Sequence, residues 1–258
     1  MLPNLDKLIE NSFLCIEDLV AQDILDYTNN ILLNEIDTKN EDIKRLHGYR
    51  MGNLAIKSSY LHNNIWSELI HTGLIDKITS KFPKLKYVSF GGNLNLPESK
   101  KQRIHRDTRE PNLIINVPLI DVNELHGPVS IISSHFKKTL KTKDIFFKNL
   151  IKTEQYVPSK KGDVILRFSN AWHRGNANNS ENIRLMLSFT LRESYPWSKD
   201  SSDDRNHLII NKKEVSPVNF GPNIYPENFI GTAIETLDLN IPFFSMGLAH
   251  ISNYLNGK

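Results

Sequence analysis

The feature that most constrains the fold is a change in hydrophobic period at Pro83. Before it, apolar residues recur at helical spacing, which predicts helices from residue 17 to about 33 and from 64 to 82. After it, short apolar segments alternate with clusters of turn residues, a pattern typical of β-strands. The sequence therefore predicts leading helices followed by a mainly β body.

The predicted strands are short and numerous. They span residues 12–16, 86–94, 102–106, 112–119, 129–133, 163–168, 171–174 and 183–193, with a helical insertion at about 143–151 and a closing helix at 241–254. A Gly91-Gly92 pair inside the second strand indicates a bulge or a close approach of two backbones. Such a succession of strands predicts a β-sandwich or jelly-roll barrel flanked by helices.

We expect one domain over residues 1–258, because no linker composition divides the chain. It comprises a helical N-terminal region to about residue 85, a barrel core at about 86–195 and a C-terminal extension at 196–258. The net charge of +3 is small and the lysines are scattered, so nucleic acid is not an expected partner. The sequence lacks the pattern of a signal peptide or a membrane span, which favours a cytoplasmic protein and no membrane partner. The oligomeric state stays open.

His105 and Asp107 are candidate metal ligands, because residues two apart on a strand project from one face. With 9 histidines and 29 acidic residues, roughly one such triplet is expected by chance. His105-Arg106-Asp107 is the one that occurs, and alone it fits better a surface strand with an ion-paired aspartate. The single cysteine, Cys15, excludes a cysteine metal cluster.

A second segment completes the metal-binding pattern. Residues 176–182 are rich in turn residues, so the flanking strands are predicted to form a hairpin with His173 opposite Arg184. Directly opposed residues on antiparallel strands share a face. His173 would then be the third ligand, beside a guanidinium that lines the same cavity.

The strand that begins near Arg184 alternates in polarity. One face comprises Arg184, Met186, Ser188 and Thr190, and the other comprises Ile183, Leu185, Leu187, Phe189 and Leu191. The semi-polar face suits the lumen of a small barrel, and the apolar face suits packing beneath the leading helices. This placement favours a ligand-binding role for Arg184 over a salt bridge at the rim.

These residue types suit one kind of chemistry. Two imidazoles and a carboxylate bind Fe(II) on one face and leave positions open for a co-substrate and O2. A planar guanidinium can hold the far carboxylate of 2-oxoglutarate with two parallel hydrogen bonds. We therefore predict Fe(II) at His105, Asp107 and His173, with Arg184 binding 2-oxoglutarate and no catalytic residue beyond the metal ligands.

Four pieces of the chain stand in a specific order: QRIHRD at 102–107, GPVSIISSH at 127–135, KGD at 161–163, and WHRG at 172–175 followed by Asn178, Ser180 and Arg184. Over about residues 90–191 they resemble the phytanoyl-CoA dioxygenase family of Fe(II)/2-oxoglutarate oxygenases. The resemblance implies a double-stranded β-helix, a jelly-roll or cupin-like barrel, with the same three ligands on iron and Arg184 on 2-oxoglutarate. Asn116 falls where the family often has a tryptophan, which makes its amide a candidate donor to the co-substrate.

The expected activity is hydroxylation of a small soluble metabolite with release of succinate and CO2. Asp107 favours hydroxylation over halogenation, because related halogenases replace the carboxylate ligand with a small residue. Desaturation or cyclisation of the substrate stays open. Two alternatives use the same barrel: a cupin-like hydrolase or isomerase with Zn or Mn, which has no use for Arg184, and an inactive jelly-roll binding protein.

Overall fold

The structure, a computed structural model, describes residues 2–36, 51–56, 58–102, 104–108, 110–138, 140–141, 145, 153–193 and 208–210. The predicted helix at 241–254 and most of the predicted insertion at 143–151 lie outside these residues. Within them, no helix combines the length and the apolar character that a membrane span requires.

The helices of the described chain are α1 (Asp6–Asn11), α2 (Gln22–Glu35), α3 (Ser59–His71) and α4 (Leu74–Lys81), with one 3-10 turn at Glu124–His126. The single helix predicted over 64–82 is two helices, because Gly73 adopts a left-handed φ of +75° between them. Helix α2 begins later than predicted, because the backbone N–H groups of Leu19 and Val20 donate to the carbonyl of Gly162 at 2.7 and 2.9 Å.

The strands form two sheets. They are β1 (Phe13–Ile16), β2 (Met51–Ile56), β3 (Leu85–Asn95), β4 (Leu113–Pro118), β5 (Val129–Ile132), β6 (Glu154–Val157), β7 (Val164–Phe168), β8 (His173–Gly175), β9 (Arg184–Glu193) and β10 (Leu208–Ile210). The large sheet has the order β1-β7-β4-β9-β3-β2-β10, and the small sheet has the order β6-β5-β8. The predicted mainly β architecture is confirmed, and the sequence did not predict β2, β6 and β10.

The two faces of β9 are buried in different surroundings, as the polarity alternation predicts. Leu187 and Phe189 belong to the main core, in which the large sheet packs against helix residues such as Ile65 of α3. Met186 packs instead with Ile131 of the small sheet, in the space between the sheets. Each fully buried side chain of this size stabilises the fold by about 1.5–3 kcal/mol. The lumen of the barrel therefore lies on the side of Met186.

The Gly91-Gly92 pair allows two neighbouring strands to approach β3 closely. A Cβ atom on Gly91 would collide with the carbonyl oxygen of Leu54 on β2, and one on Gly92 would lie 2.6 Å from the carbonyl oxygen of Met186 on β9. The predicted close approach is thus confirmed. The bulge lies elsewhere, since the register with β9 shifts between Tyr87 and Ser89.

The described residues of the strand predicted over 102–106 form no regular strand and lie beside β8. The backbone N–H of Gln102 donates to Gly175 O at 2.9 Å, and His105 and His173 exchange two backbone hydrogen bonds of 2.9 Å. Three residue steps on this segment oppose two on β8, so no regular ladder forms between these contacts. The prediction of a regular strand is wrong, although the segment still pairs with β8.

The hairpin predicted between His173 and Arg184 does not form. Strand β8 pairs with β5 in the small sheet, whereas β9 pairs with β3 and β4 in the large sheet. Residues 176–182 therefore cross from one sheet to the other. The turn-forming residues of this segment serve a crossover connection, which sequence composition alone does not distinguish from a hairpin turn.

Asn178 fixes this crossover in place. Its buried side-chain Nδ2 donates to the carbonyl oxygens of Asn95 and Asn182 at 3.0 and 2.8 Å. Its Oδ1 accepts from the backbone N–H and the hydroxyl of Ser180 at 3.1 and 2.7 Å. Because buried polar groups must be paired, this amide ties the start of β9 to the end of β3.

We expect Asn178→Ala to destabilise the protein by about 2–4 kcal/mol, because it removes four hydrogen bonds and leaves the buried carbonyl of Asn95 without this partner. The adjacent Asn179→Ala is the matched control, since the Asn179 side chain is exposed, and it should change stability by no more than about 0.5 kcal/mol. Urea denaturation followed by circular dichroism measures both. Equal stability of the two variants would contradict the role given to Asn178.

Candidate metal centre

His105 and His173 are brought together by the pairing of their own backbones. Because the two residues exchange N–H···O=C hydrogen bonds, their side chains project from the same side, and the ring centroids are 4.6 Å apart. The chain then turns, and the backbone N–H of Asp107 donates to Ser169 O at 2.9 Å. This bond anchors Asp107 beside the two rings.

The three predicted ligands converge on one point. Asp107 Oδ1 lies 3.4 Å from His173 Nε2 and 3.6 Å from His105 Nε2, and the three ligand atoms lie within 4.8 Å of one another. Metal–ligand bonds of about 2.0–2.2 Å place neighbouring ligand atoms about 3 Å apart, so small side-chain adjustments suffice to enclose an ion. The set of two imidazoles and one carboxylate fits Fe(II).

A hydrogen bond sets the tautomer of His173. Its Nδ1 lies 3.0 Å from the carbonyl oxygen of Ala171, which can only accept, so Nδ1 carries the proton. The lone pair of Nε2 is then directed toward the other two ligands. Such a bond from the second ring nitrogen to a carbonyl is the usual way in which proteins orient a metal-binding imidazole.

The surroundings of the site favour the metal-binding protonation states. Burial, with the charge of Arg167 acting in the same direction, lowers the pKa of His173 to about 4, so the imidazole is neutral. Burial alone would raise the pKa of Asp107. The charge of Arg167 and the contacts from the two imidazoles outweigh burial and hold the pKa of that carboxyl well below its usual range.

Arg184 is a buried cation with an unused donor. Its residue is 6% exposed, and its Nε has no hydrogen-bond partner among the described residues. Desolvation alone lowers the pKa of Arg184 to about 10, which leaves it charged at neutral pH. It lies two residues from Met186 on β9, so both side chains face the lumen. The predicted side-by-side contact with His173 is replaced by a shared lumen between two sheets.

Asn116 of β4 also faces the lumen, but its amide has protein partners. Its Nδ2 donates to Ser188 Oγ at 2.7 Å and more weakly to Leu187 O at 3.4 Å. Its Oδ1 accepts from Arg167 Nε at 3.3 Å. These contacts assign the amide to orienting other side chains, and the predicted contact of Asn116 with a co-substrate stays a prediction.

Arg167 is the residue that sequence reasoning missed. It lies on β7 with its side chain 11% exposed, and its Nη1 donates to Asp107 Oδ2 at 2.8 Å. The available signal was a single charge in the middle of the apolar strand 164–168. Arg184 was identified because it begins the semi-polar face of a strand predicted to lie opposite His173, and no such placement linked Arg167 to a metal ligand.

No family model matches the chain, and no curated protein matches it in sequence. Solved structures do match. The non-heme α-ketoglutarate-dependent carbocyclase SnoK from nogalamycin biosynthesis gives a TM-score of 0.53 at 14% identity, over 72% of this chain and 82% of its own. HygX from Streptomyces hygroscopicus, with nickel and 2-oxoglutarate bound, gives 0.53 at 14% over 74% and 86%. AviO1 from Streptomyces viridochromogenes Tue57 gives 0.56 at 14% over 76% and 95%.

At this level of identity the likeness concerns the fold. Together with the two sheets and the lumen between them, it confirms the predicted jelly-roll barrel with flanking helices. None of these three structures is named as a phytanoyl-CoA dioxygenase, so that narrower resemblance stays a prediction.

We expect the metal-free protein to lose stability as the pH falls from about 6.5 to about 4. An unfolded histidine titrates near 6.5, whereas His173 in the folded protein titrates at about 4. Between these two pH values the unfolded chain binds more protons than the folded chain. The free energy of unfolding therefore decreases as the pH is lowered, by roughly 3 kcal/mol in total when the pH reaches about 4. Urea denaturation of chelator-treated protein across the window measures this slope.

The His173→Gln variant provides the comparison, because it removes the titrating imidazole and should flatten the slope. The same pH slope in the variant and the parent would contradict the lowered pKa of His173.

Proposed function

We propose that the chain is an Fe(II)- and 2-oxoglutarate-dependent oxygenase that acts on a small soluble molecule. The observation that carries the proposal is the buried guanidinium of Arg184, whose Nε has no hydrogen-bond partner among the described residues and which faces the same lumen as the cluster of His105, Asp107 and His173. A hydrolytic metal site needs the cluster alone. A buried cation needs an anion as well.

In this proposal, two imidazoles and one carboxylate oxygen hold the metal on one face. Three ligands leave other coordination positions open to a co-substrate and to O2. When bound, Fe(II) and 2-oxoglutarate supply the oxidising chemistry, in which O2 is consumed, the oxo acid becomes succinate and CO2, and the substrate is oxidised. The protein would contribute ligands of the correct protonation state and the buried cation of Arg184.

Arg184 would bind the far carboxylate of the co-substrate. Burying an arginine without a carboxylate partner is costly, and no described carboxylate lies within ion-pair distance of it. If the oxo-acid end of a dicarboxylate were held at the metal ligands, its second carboxylate would be available to the donors of Arg184 in the same lumen. The planar fork of arginine can hold that group with two hydrogen bonds.

The solved structures support this assignment of the co-substrate. HygX was determined with nickel and 2-oxoglutarate bound, and SnoK and SnoN are described as an α-ketoglutarate-dependent carbocyclase and epimerase. A carbocyclase and an epimerase with this fold also indicate that one barrel serves several reactions. We propose hydroxylation as the reaction. The proposal also includes a cytoplasmic location, a single domain over 1–258 and a relationship to the phytanoyl-CoA dioxygenases.

Two other functions fit less well. A cupin-like hydrolase or isomerase with Zn or Mn would use His105, Asp107 and His173 but would leave the buried charge of Arg184 without a purpose. An inactive binding barrel would not need all four residues, since the loss of any one would be tolerated. The intact set favours an oxygenase over both.

The proposal is tested by adding Fe(II) and 2-oxoglutarate to the purified protein without oxygen. We expect a metal-to-ligand charge-transfer band, followed by succinate formation when oxygen is admitted. The Arg184→Ala variant should need on the order of 100-fold more 2-oxoglutarate for the band, because it loses a charge-assisted hydrogen-bond pair worth about 3 kcal/mol. Its affinity for Fe(II) alone should stay close to that of the parent.

Arg192→Ala is the matched control, because it removes the same charge from the opposite end of β9. It should leave the requirement for 2-oxoglutarate unchanged. Bound iron with neither the band nor succinate would exclude the oxygenase. Loss of iron binding in Arg184→Ala would make Arg184 a structural residue.

A further inference from the structure

Arg167 occupies an unusual place in the barrel. It lies two residues from Ile165 on β7, and Ile165 belongs to the cluster between the two sheets, so Arg167 also faces the lumen. Its guanidinium makes two contacts of different kinds. Nη1 donates to Asp107 Oδ2 at 2.8 Å, and Nε donates to the neutral amide oxygen of Asn116 at 3.3 Å.

The second contact fixes the direction of the guanidinium. The amide of Asn116 is itself oriented, because its Nδ2 donates to Ser188 Oγ at 2.7 Å, and its Oδ1 must then face Arg167. The strands that carry these residues, β9, β4 and β7, are neighbours in the large sheet. A continuous set of hydrogen bonds thus runs across the sheet from Ser188 to Asp107.

The two carboxylate oxygens of Asp107 therefore have different neighbours. Oδ2 is engaged by Arg167, while Oδ1 faces His105 Nε2 and His173 Nε2. We propose that Arg167 is a positioning residue that holds Asp107 as a one-oxygen metal ligand and thereby keeps other coordination positions free. This inference rests on the metal-binding half of the proposed function.

The positive charge of Arg167 cannot by itself explain how this residue would support metal binding. A cation beside a metal ligand repels a divalent ion, so its charge by itself weakens metal binding. Orientation acts in the opposite direction, because a carboxylate fixed toward the metal loses less freedom on binding. The two effects predict opposite results when Arg167 is replaced, and an experiment can separate them.

The experiment is calorimetric titration of the metal-free protein with Co(II) alone. We expect Arg167→Met to bind Co(II) about 10–100-fold more weakly, the usual effect of losing a group that orients a ligand. Arg167→Lys should also bind more weakly, because an ammonium keeps the charge but cannot bond Asp107 and Asn116 in the same geometry. Asn116→Ala should show a smaller loss in the same direction.

The absorption spectrum of the Co(II) protein is the second readout. Once Oδ2 of Asp107 is released, the carboxylate can bind with both oxygens, so the ligand-field bands of Arg167→Met should differ from those of the parent in position and intensity. A general loss of stability would not change the coordination of the metal that is bound. The melting temperature of each metal-free variant monitors folding, and Asn116→Ala carries the test if Arg167→Met does not fold.

Lys161→Met is the matched control, because Lys161 forms an ion pair with Asp26 of α2, at 2.7 Å, away from the lumen. It should bind Co(II) as the parent does. Unchanged or tighter binding by Arg167→Met with a parental spectrum would overturn the inference and leave the oxygenase standing. Failure of the parent itself to bind a metal would overturn the proposed function and the inference together.

Discussion

The site depends on the backbone pairing between His105 and His173. Two hydrogen bonds of 2.9 Å join an irregular segment to the first residue of β8, and they bring residues distant in sequence into ring contact. The backbone of Asp107 is anchored to the carbonyl of Ser169, and its carboxylate is held by Arg167. The backbones of two imidazole ligands and one carboxylate ligand are thus positioned by main-chain hydrogen bonds.

The lumen beside these paired residues contains two positive charges. Two arginines, Arg167 and Arg184, are largely buried in it, and they have different surroundings. Arg167 is satisfied by a metal ligand and an amide, whereas Arg184 has no carboxylate partner among the described residues. Because a buried charge without a partner costs free energy, the lumen suits an anion that the described residues do not provide. This difference separates an oxygenase from a metal hydrolase on the same barrel.

The sequence predicted those features that depend on a residue's type or on the spacing of residues along one strand. Polarity alternation identified the buried and lumen faces of β9, because side chains alternate along any strand. Which strands pair with each other was harder to predict, because residues 176–182 have the composition of a hairpin turn but connect two different sheets. Asn178 looks like a turn residue in sequence and is a buried connector in the fold. Arg167 could be noticed as a charge in an apolar strand, but only the fold brings it to Asp107.

The most direct measurement is a crystal structure of the protein grown without oxygen in the presence of Fe(II) and 2-oxoglutarate, with anomalous diffraction at the iron edge. We predict a single iron peak bounded by His105 Nε2, His173 Nε2 and one oxygen of Asp107, with the far carboxylate of the co-substrate on Arg184. Iron bound elsewhere, or a co-substrate whose far carboxylate avoids Arg184, would contradict an iron and 2-oxoglutarate site in this barrel.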